Sequence, residues 1–185
     1  MSEFKNFIFF FFIILFLAVS CRKDYTPKPT GYFRIELPEK DYQKYKSDCP
    51  FSFEYPVYAK IINYRPDSCW INIVFPENDA TLHLTYKKID GNLQTLLEES
   101  RKFVYKHVIK AEAINEKLYE NHGNDVYGIL YEIKGNAASP VNFFCTDSTK
   151  HFLRGALYFN TRPNKDSLAP VINFFKTDIR YLMET

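Results

Sequence analysis

Glycine is scarce in this chain, six residues in 185. No glycine-rich stretch exists to cradle a phosphate with backbone N–H groups, so a nucleotide-binding loop is excluded. Histidine is equally sparse at four residues. The chain has no HExxH, no CxxC and no histidine pair at ligand spacing, so a metal site is not expected and no cofactor is implied. Charge of one sign is missing too: 24 Lys and Arg against 22 Asp and Glu leave a net +2. That balance argues against nucleic acid as a partner, because phosphate backbones are held by clustered cations. There is no internal repeat, and the only long hydrophobic run lies at the N-terminus.

What remains is globular in character, 46% hydrophobic and 25% charged. Aromatic residues make up 18% of the chain, and seven of the 33 precede position 20. The others suit a sheet-rich domain, since Tyr and Phe pack well on pleated surfaces.

The N-terminal run has the proportions of a targeting segment. Phe7 to Val19 is 13 consecutive apolar residues. A spanning helix needs roughly 20, a signal-peptide core roughly 7 to 15. The sequence Leu17-Ala18-Val19-Ser20-Cys21 then resembles a lipobox. Small Ala18 and Ser20 let a peptidase approach the backbone, and the Cys21 thiol is the acceptor for diacylglycerol. Residues 1–20 are therefore expected to be removed, with Cys21 lipidated and anchoring the chain to a membrane. Several acyl chains on one residue hold stably, at about 0.8 kcal/mol per buried methylene. Residues 21–30 are polar, contain two prolines and read as a tether. Asp24 is the one acid in this tether and follows two basic residues, which favours a periplasm-facing protein. Residues 31–185 read as a single domain.

Within that domain, period-2 alternation marks strands at 31–37, 51–58, 70–75, 80–87 and 112–120. Residues 125–160 read as three further strands joined by two turns, an antiparallel meander at the centre of a sheet. Residues 92–110 have one apolar stripe (Leu93, Leu96, Leu97, Phe103, Val104, His107) and predict a helix capped by Asn92. A second helix is expected to be capped by Ser167, with Pro170 in its first turn. The fold class is α+β: an antiparallel sheet of about six to seven strands flanked by two helices.

Candidate chemistry is thin. Asp147, Ser148 and His151 are the residue types of a hydrolase triad, but they crowd into one predicted hairpin, whereas a triad converges from separate elements. They read better as turn residues, so no catalytic residue is assigned. His83 is placed on a solvated strand face, His107 on an apolar stripe and His122 in a turn. Three cysteines remain after lipidation. Cys49 and Cys69 are expected to bridge, and Cys145 resembles a buried small hydrophobe. The uncharged loop of residues 135–140 admits two readings. It is a wide hairpin turn, or Asn136, Ala137, Ala138 and Ser139 contribute to a partner-docking edge. On the second reading Ala137→Arg would abolish function without disturbing the fold.

The segments DYTPKPTGYFRIELPEKDY (24–42), CPFSFEYP (49–56), KGNAASPVNFF (134–144), DSTKHFLRGALYFN (147–160) and DSLAPVI (166–172) resemble the GldD family, the gliding-motility lipoproteins of Bacteroidota. The resemblance covers nearly all of the mature chain. It implies a role in the envelope machinery that drives gliding, coupled to type IX secretion, with envelope proteins of that apparatus as partners, the membrane protein GldE among them. It brings no catalytic residues. The order of elements is also similar to the Mog1/PsbP-like fold. The sequence thus leaves three readings open: a non-enzymatic lipoprotein component or assembly factor, a tethered hydrolase, and a small-ligand-binding module with an aromatic-lined pocket.

Overall fold

Residues 35–65, 68–106 and 108–185 are described by a computed structural model. Cys21 and its lipobox, the tether, the start of the expected strand at 31–37, and His107 lie outside these residues. Ile35 to Leu37, the end of that expected strand, adopt no regular structure.

The strands are β1 (Tyr42–Lys44), β2 (Glu54–Pro56), β3 (Lys60–Arg65), β4 (Trp70–Phe75), β5 (Ala80–Lys88), β6 (Ala111–Asn121), β7 (Val126–Gly135), β8 (Val141–Thr146) and β9 (His151–Phe159). The α-helices among the described residues are α1 (Leu93–Tyr105) and α2 (Lys165–Glu184). Strands β3 to β9 form a seven-stranded sheet in the order β3-β4-β5-β9-β8-β7-β6, and β1 pairs with β2 in a separate small sheet. Every pairing is antiparallel. The domain is α+β, and β7, β8 and β9 form the expected meander. The chain leaves β5 in mid-sheet, passes through α1 to the far edge at β6, and returns strand by strand until β9 closes against β5.

Alternation sorts the side chains onto two faces. On one face Ile71, Ile73, Leu82, Leu84, Leu130, Phe143 and Leu157 meet Val171, Phe175, Ile179 and Leu182 of α2. On the other, Tyr131, Ile133, Phe144 and Phe152 meet Leu96 and Val104 of α1. Phe143 and Phe144 are neighbours in sequence and serve opposite cores. Phe143 is fully buried, and Gly155 on β9 makes the room: a Cβ there would collide with the Phe143 ring.

Several boundaries differ from the sequence reading. The expected strand at 51–58 shrinks to three residues paired with β1, flanked by the backbone bonds Tyr45 N to Phe53 O and Val57 N to Asp41 O. Phe53 instead stacks on Tyr45, with ring centroids 4.9 Å apart. The polar run KIINYR is β3, an edge strand that exposes Ile62 and so hides its alternation. Helix α1 stops at Tyr105, and β-branched Val108 and Ile109 fall in a 3-10 turn before β6. Asn92 stands at the N-cap position, but its Oδ1 accepts from Asp90 N at 2.9 Å instead of capping. Asn164 caps α2 in place of Ser167, accepting from Asp166 N at 3.1 Å and Ser167 N at 3.2 Å. Pro170 therefore lies beyond the first turn and withholds one intrahelical hydrogen bond.

Candidate functional site

A cavity of about 560 Å³ opens at the end of the sheet where β5 and β8 finish and β9 begins. Its walls come from sequence-distant pieces: Phe51 and Phe53 from the segment before β2, Leu153 from β9, and Leu182 and Met183 from the end of α2. Polar groups converge on this apolar lining. Tyr86 Oη and His151 Nδ1 share a hydrogen bond of 2.8 Å. Asn121 and Asn124 of the β6–β7 turn, Lys44 and Asp147 complete the rim. The Tyr86 hydroxyl is held above the usual phenol range, first by burial and then by the charge of Asp147. An apolar body with a few convergent polar groups is the arrangement that holds small ligands.

The Cys49–Cys69 disulfide supports this wall, with Cα atoms 5.7 Å apart. It ties the segment leading to Phe51 onto the turn between β3 and β4. Cys145 also lines the cavity and is a free thiol. Burial pushes it up to about 12, so it stays protonated and is a poor nucleophile at neutral pH.

Asp147, Ser148 and His151 come together only as a turn. Asp147 Oδ1 accepts from the backbone N–H groups of Thr149 (3.0 Å), Lys150 (2.8 Å) and His151 (2.8 Å). Burial would raise the Asp147 carboxyl, but these donors outweigh it and hold it at about 2. Ser148 is exposed with φ +63°, and its backbone N–H donates to Thr146 Oγ1. The imidazole is engaged by Tyr86 rather than by Ser148 or Asp147. Of the other histidines, His83 is exposed on β5, with Nδ1 2.8 Å from Asn72 Oδ1. His122 lies in a turn, 3.4 Å from Glu120. Among the described residues no group of three or more His, Cys, Asp and Glu could hold a metal ion.

The loop at 135–140 is packed more tightly than its composition suggests. Ala137 joins the core under α1 at 7% exposure, and Ser139 is fully buried. Asn142 Nδ2 donates to Ser139 O at 3.1 Å and to Ser139 Oγ at 3.0 Å. Asn136 Oδ1 accepts from Lys165 N at 2.9 Å and ties the loop to the start of α2. Of the four residues expected at a docking edge, two face inward and Asn136 is bonded within the domain; Ala138 is exposed. Small residues are used here for close packing inside the molecule.

A clasp around Asp178 has no counterpart among the sequence expectations. This carboxylate is 2% exposed and accepts from Lys40 Nζ (2.6 Å), Tyr42 Oη (2.9 Å) and Tyr58 Oη (2.6 Å). Lys40 Nζ also sits 3.1 Å from the Phe174 ring centroid. Burial lowers the lysine and, with the Asp178 carboxylate, raises both tyrosines. A buried charge must be paired, and this one binds the N-terminal segment of the domain onto α2. A signal existed: Asp178 lies three residues after Phe175 and four before Leu182, within the apolar stripe of its helix.

Fold and cavity together define an α+β domain with an open recess, built on an antiparallel sheet whose two faces pack against different helices. No helix among the described residues is long and apolar enough to cross a membrane. The chain belongs to the family described as gliding motility lipoprotein GldD, whose model matches residues 22–185. No curated protein matches it. Membership makes the chain a lipoprotein of the gliding-motility system, lipid-anchored in the cell envelope among envelope partners.

Proposed function

We propose that this protein is a membrane-anchored component or assembly factor of the gliding-motility machinery, coupled to type IX secretion, and that it acts by protein contact rather than catalysis. The observation that carries this reading is the family match across residues 22–185. The geometry at Asp147, Ser148 and His151 agrees with it. The carboxylate is occupied by backbone donors, and the imidazole is turned to Tyr86, which leaves the serine without a base. Lipid on Cys21 holds the domain at the membrane, facing the periplasm, where the membrane protein GldE is its partner.

A second reading is favoured by the cavity at Tyr86 and His151, whose volume of about 560 Å³ suits a small molecule. On that reading the protein is a tethered small-ligand-binding module.

Chemical crosslinking of the intact lipoprotein in native membranes, followed by capture and mass spectrometry, tests the first reading. GldE and other gliding components should be recovered. Recovery of the lipoprotein without them would contradict protein contact as its mode of action. Ser148→Ala and His151→Ala should accumulate normally and leave cells gliding. Loss of gliding from each at normal protein level would instead favour a hydrolase.

A further inference from the structure

Helix α1 covers only part of its side of the sheet. Beyond it, among the described residues, the same face shows Lys60, Ile62, His83 and Tyr158 to solvent, with Asn72, Val74 and Thr81 partly exposed and Ala156 buried. Register places Ile62, Asn72, His83 and Ala156 in one row, and Lys60, Val74, Thr81 and Tyr158 in the next. Ile62 is 52% exposed and Tyr158 37%. Where this face meets α1 there is a groove of about 480 Å³, walled by Trp70, Thr85, Phe103, Phe152, Lys106 and Arg154.

Arg154 is the feature that needs an explanation. Its guanidinium carbon lies 4.5 Å from the Phe103 ring centroid, and its Nε is buried with no hydrogen-bond partner. No acid among the described residues forms an ion pair with it. Glu99 is the one acid in the groove wall, and Lys87 takes it at 2.8 Å. Lys102 and Lys106 add positive charge to the wall. A half-buried arginine whose Nε is unpaired and which has no counter-charge is costly, and its planar fork fits a carboxylate with two parallel hydrogen bonds. Phe103, 43% exposed beside it, supplies an apolar contact. Arginine and aromatic residues in a partly dry recess, ringed by open surface, are the composition of a binding hot spot.

We propose that this groove docks an acidic segment of a partner protein, with one carboxylate on Arg154 and a flanking apolar side chain against Phe103. The continuity of the groove with the open sheet face favours a polypeptide, since a chain seated on Arg154 runs on over the Ile62 and Tyr158 rows. The proposal rests on the protein-contact reading above and gives it a surface and a partner chemistry.

A photo-crosslinking amino acid placed at Phe103 of the full lipidated chain in cells tests it, with the same probe at Tyr64 and Leu118 for comparison. The Phe103 probe should capture one protein, at a segment bearing Asp or Glu. Lys102→Glu with Lys106→Glu, both exposed positions, should reduce that yield about tenfold, the loss expected when a hot-spot contact is removed. Arg154→Glu should abolish it, and an acid-to-lysine change in the captured segment should restore it. Arg154→Glu that fails to accumulate leaves the lysine pair as the deciding variant. Capture of a segment without a carboxylate, capture of lipid, or a yield indifferent to the lysine variants would overturn the proposal. If Tyr64 or Leu118 captures protein and Phe103 does not, the groove is wrong while protein contact stands. If no position captures protein, both fail.

Discussion

Asp147 carries a charge that the backbone has already claimed. Its Oδ1 takes three N–H groups of its own turn, and its carboxyl sits at about 2, below the ordinary value of 3.8. A carboxyl depressed in the folded state stabilises at pH above its unfolded value, and that contribution is lost as pH falls through the folded value. The window therefore runs from about pH 4 down to about pH 2. Asp147→Ala should cost about 1 to 2 kcal/mol at pH 7, the worth of charge-assisted hydrogen bonds at a partly exposed site. The difference from the parent should shrink toward zero near pH 2, as read by urea denaturation across pH. An equal difference at pH 7 and pH 2 would mean that the turn does not depend on the ionised group. The turn role of Asp147 was legible, because Asp-Ser-Thr-Lys between two strands is turn chemistry. The role of Asp178 is not legible in the same way, although its helical spacing puts it among buried residues. Its partners Lys40, Tyr42 and Tyr58 lie at sequence separations of 138, 136 and 120, beyond the reach of local pattern.

Elements with strong periodicity were legible, and those that lean on others were not. The meander β7-β8-β9 follows from alternation and short turns. Strand β3 was hidden because an edge strand with one half-covered face shows Ile62 and Tyr64 to solvent. The loop at 135–140 was legible as a turn, but its inward packing was not, since Ala and Ser are as compatible with a core as with a surface. This changes what a substitution there does. Ala137→Arg forces a long cation into the core under α1, beside Phe144 and Ile133, and no longer tests docking. It should cost several kcal/mol, more than about 3, and the protein should fail to accumulate. Ala138→Arg, at an exposed position, should change stability by about 0.5 kcal/mol or less and leave gliding intact. Immunoblotting of both variants with a spreading assay checks the pair. Normal accumulation of Ala137→Arg with loss of gliding would restore the loop as a contact surface.

The described domain is tied together by contacts between segments far apart in sequence. The segment before β2 is clasped to α2 through Lys40 and Asp178, and stapled to the β3–β4 turn through Cys49 and Cys69. A loop of this length, 20 residues apart in sequence, stabilises by about 3 kcal/mol in the chain-entropy account. Cys49→Ser with Cys69→Ser should lower the denaturation midpoint accordingly, and the parent under reducing conditions should match the double variant. A parent indifferent to reductant would show that the bridge contributes nothing. Fold class and both helices were within reach of the sequence. The strand order was not, because the closure of β9 on β5 joins residues about seventy positions apart, and periodicity carries no information on which strands meet. The groove at Arg154 shared that fate: its walls come from β4, β5, α1 and β9. What the sequence states most directly is the anchor, and the account depends on it. The measurement that tests it is the fate of Cys21→Ala in gliding cells, followed by detergent-phase partition, mass spectrometry of the N-terminus and colony spreading. The account predicts unprocessed or mislocalised protein without acyl chains, and cells that no longer spread. Protein of mature size, membrane-bound in the detergent phase, in cells that still glide would contradict it.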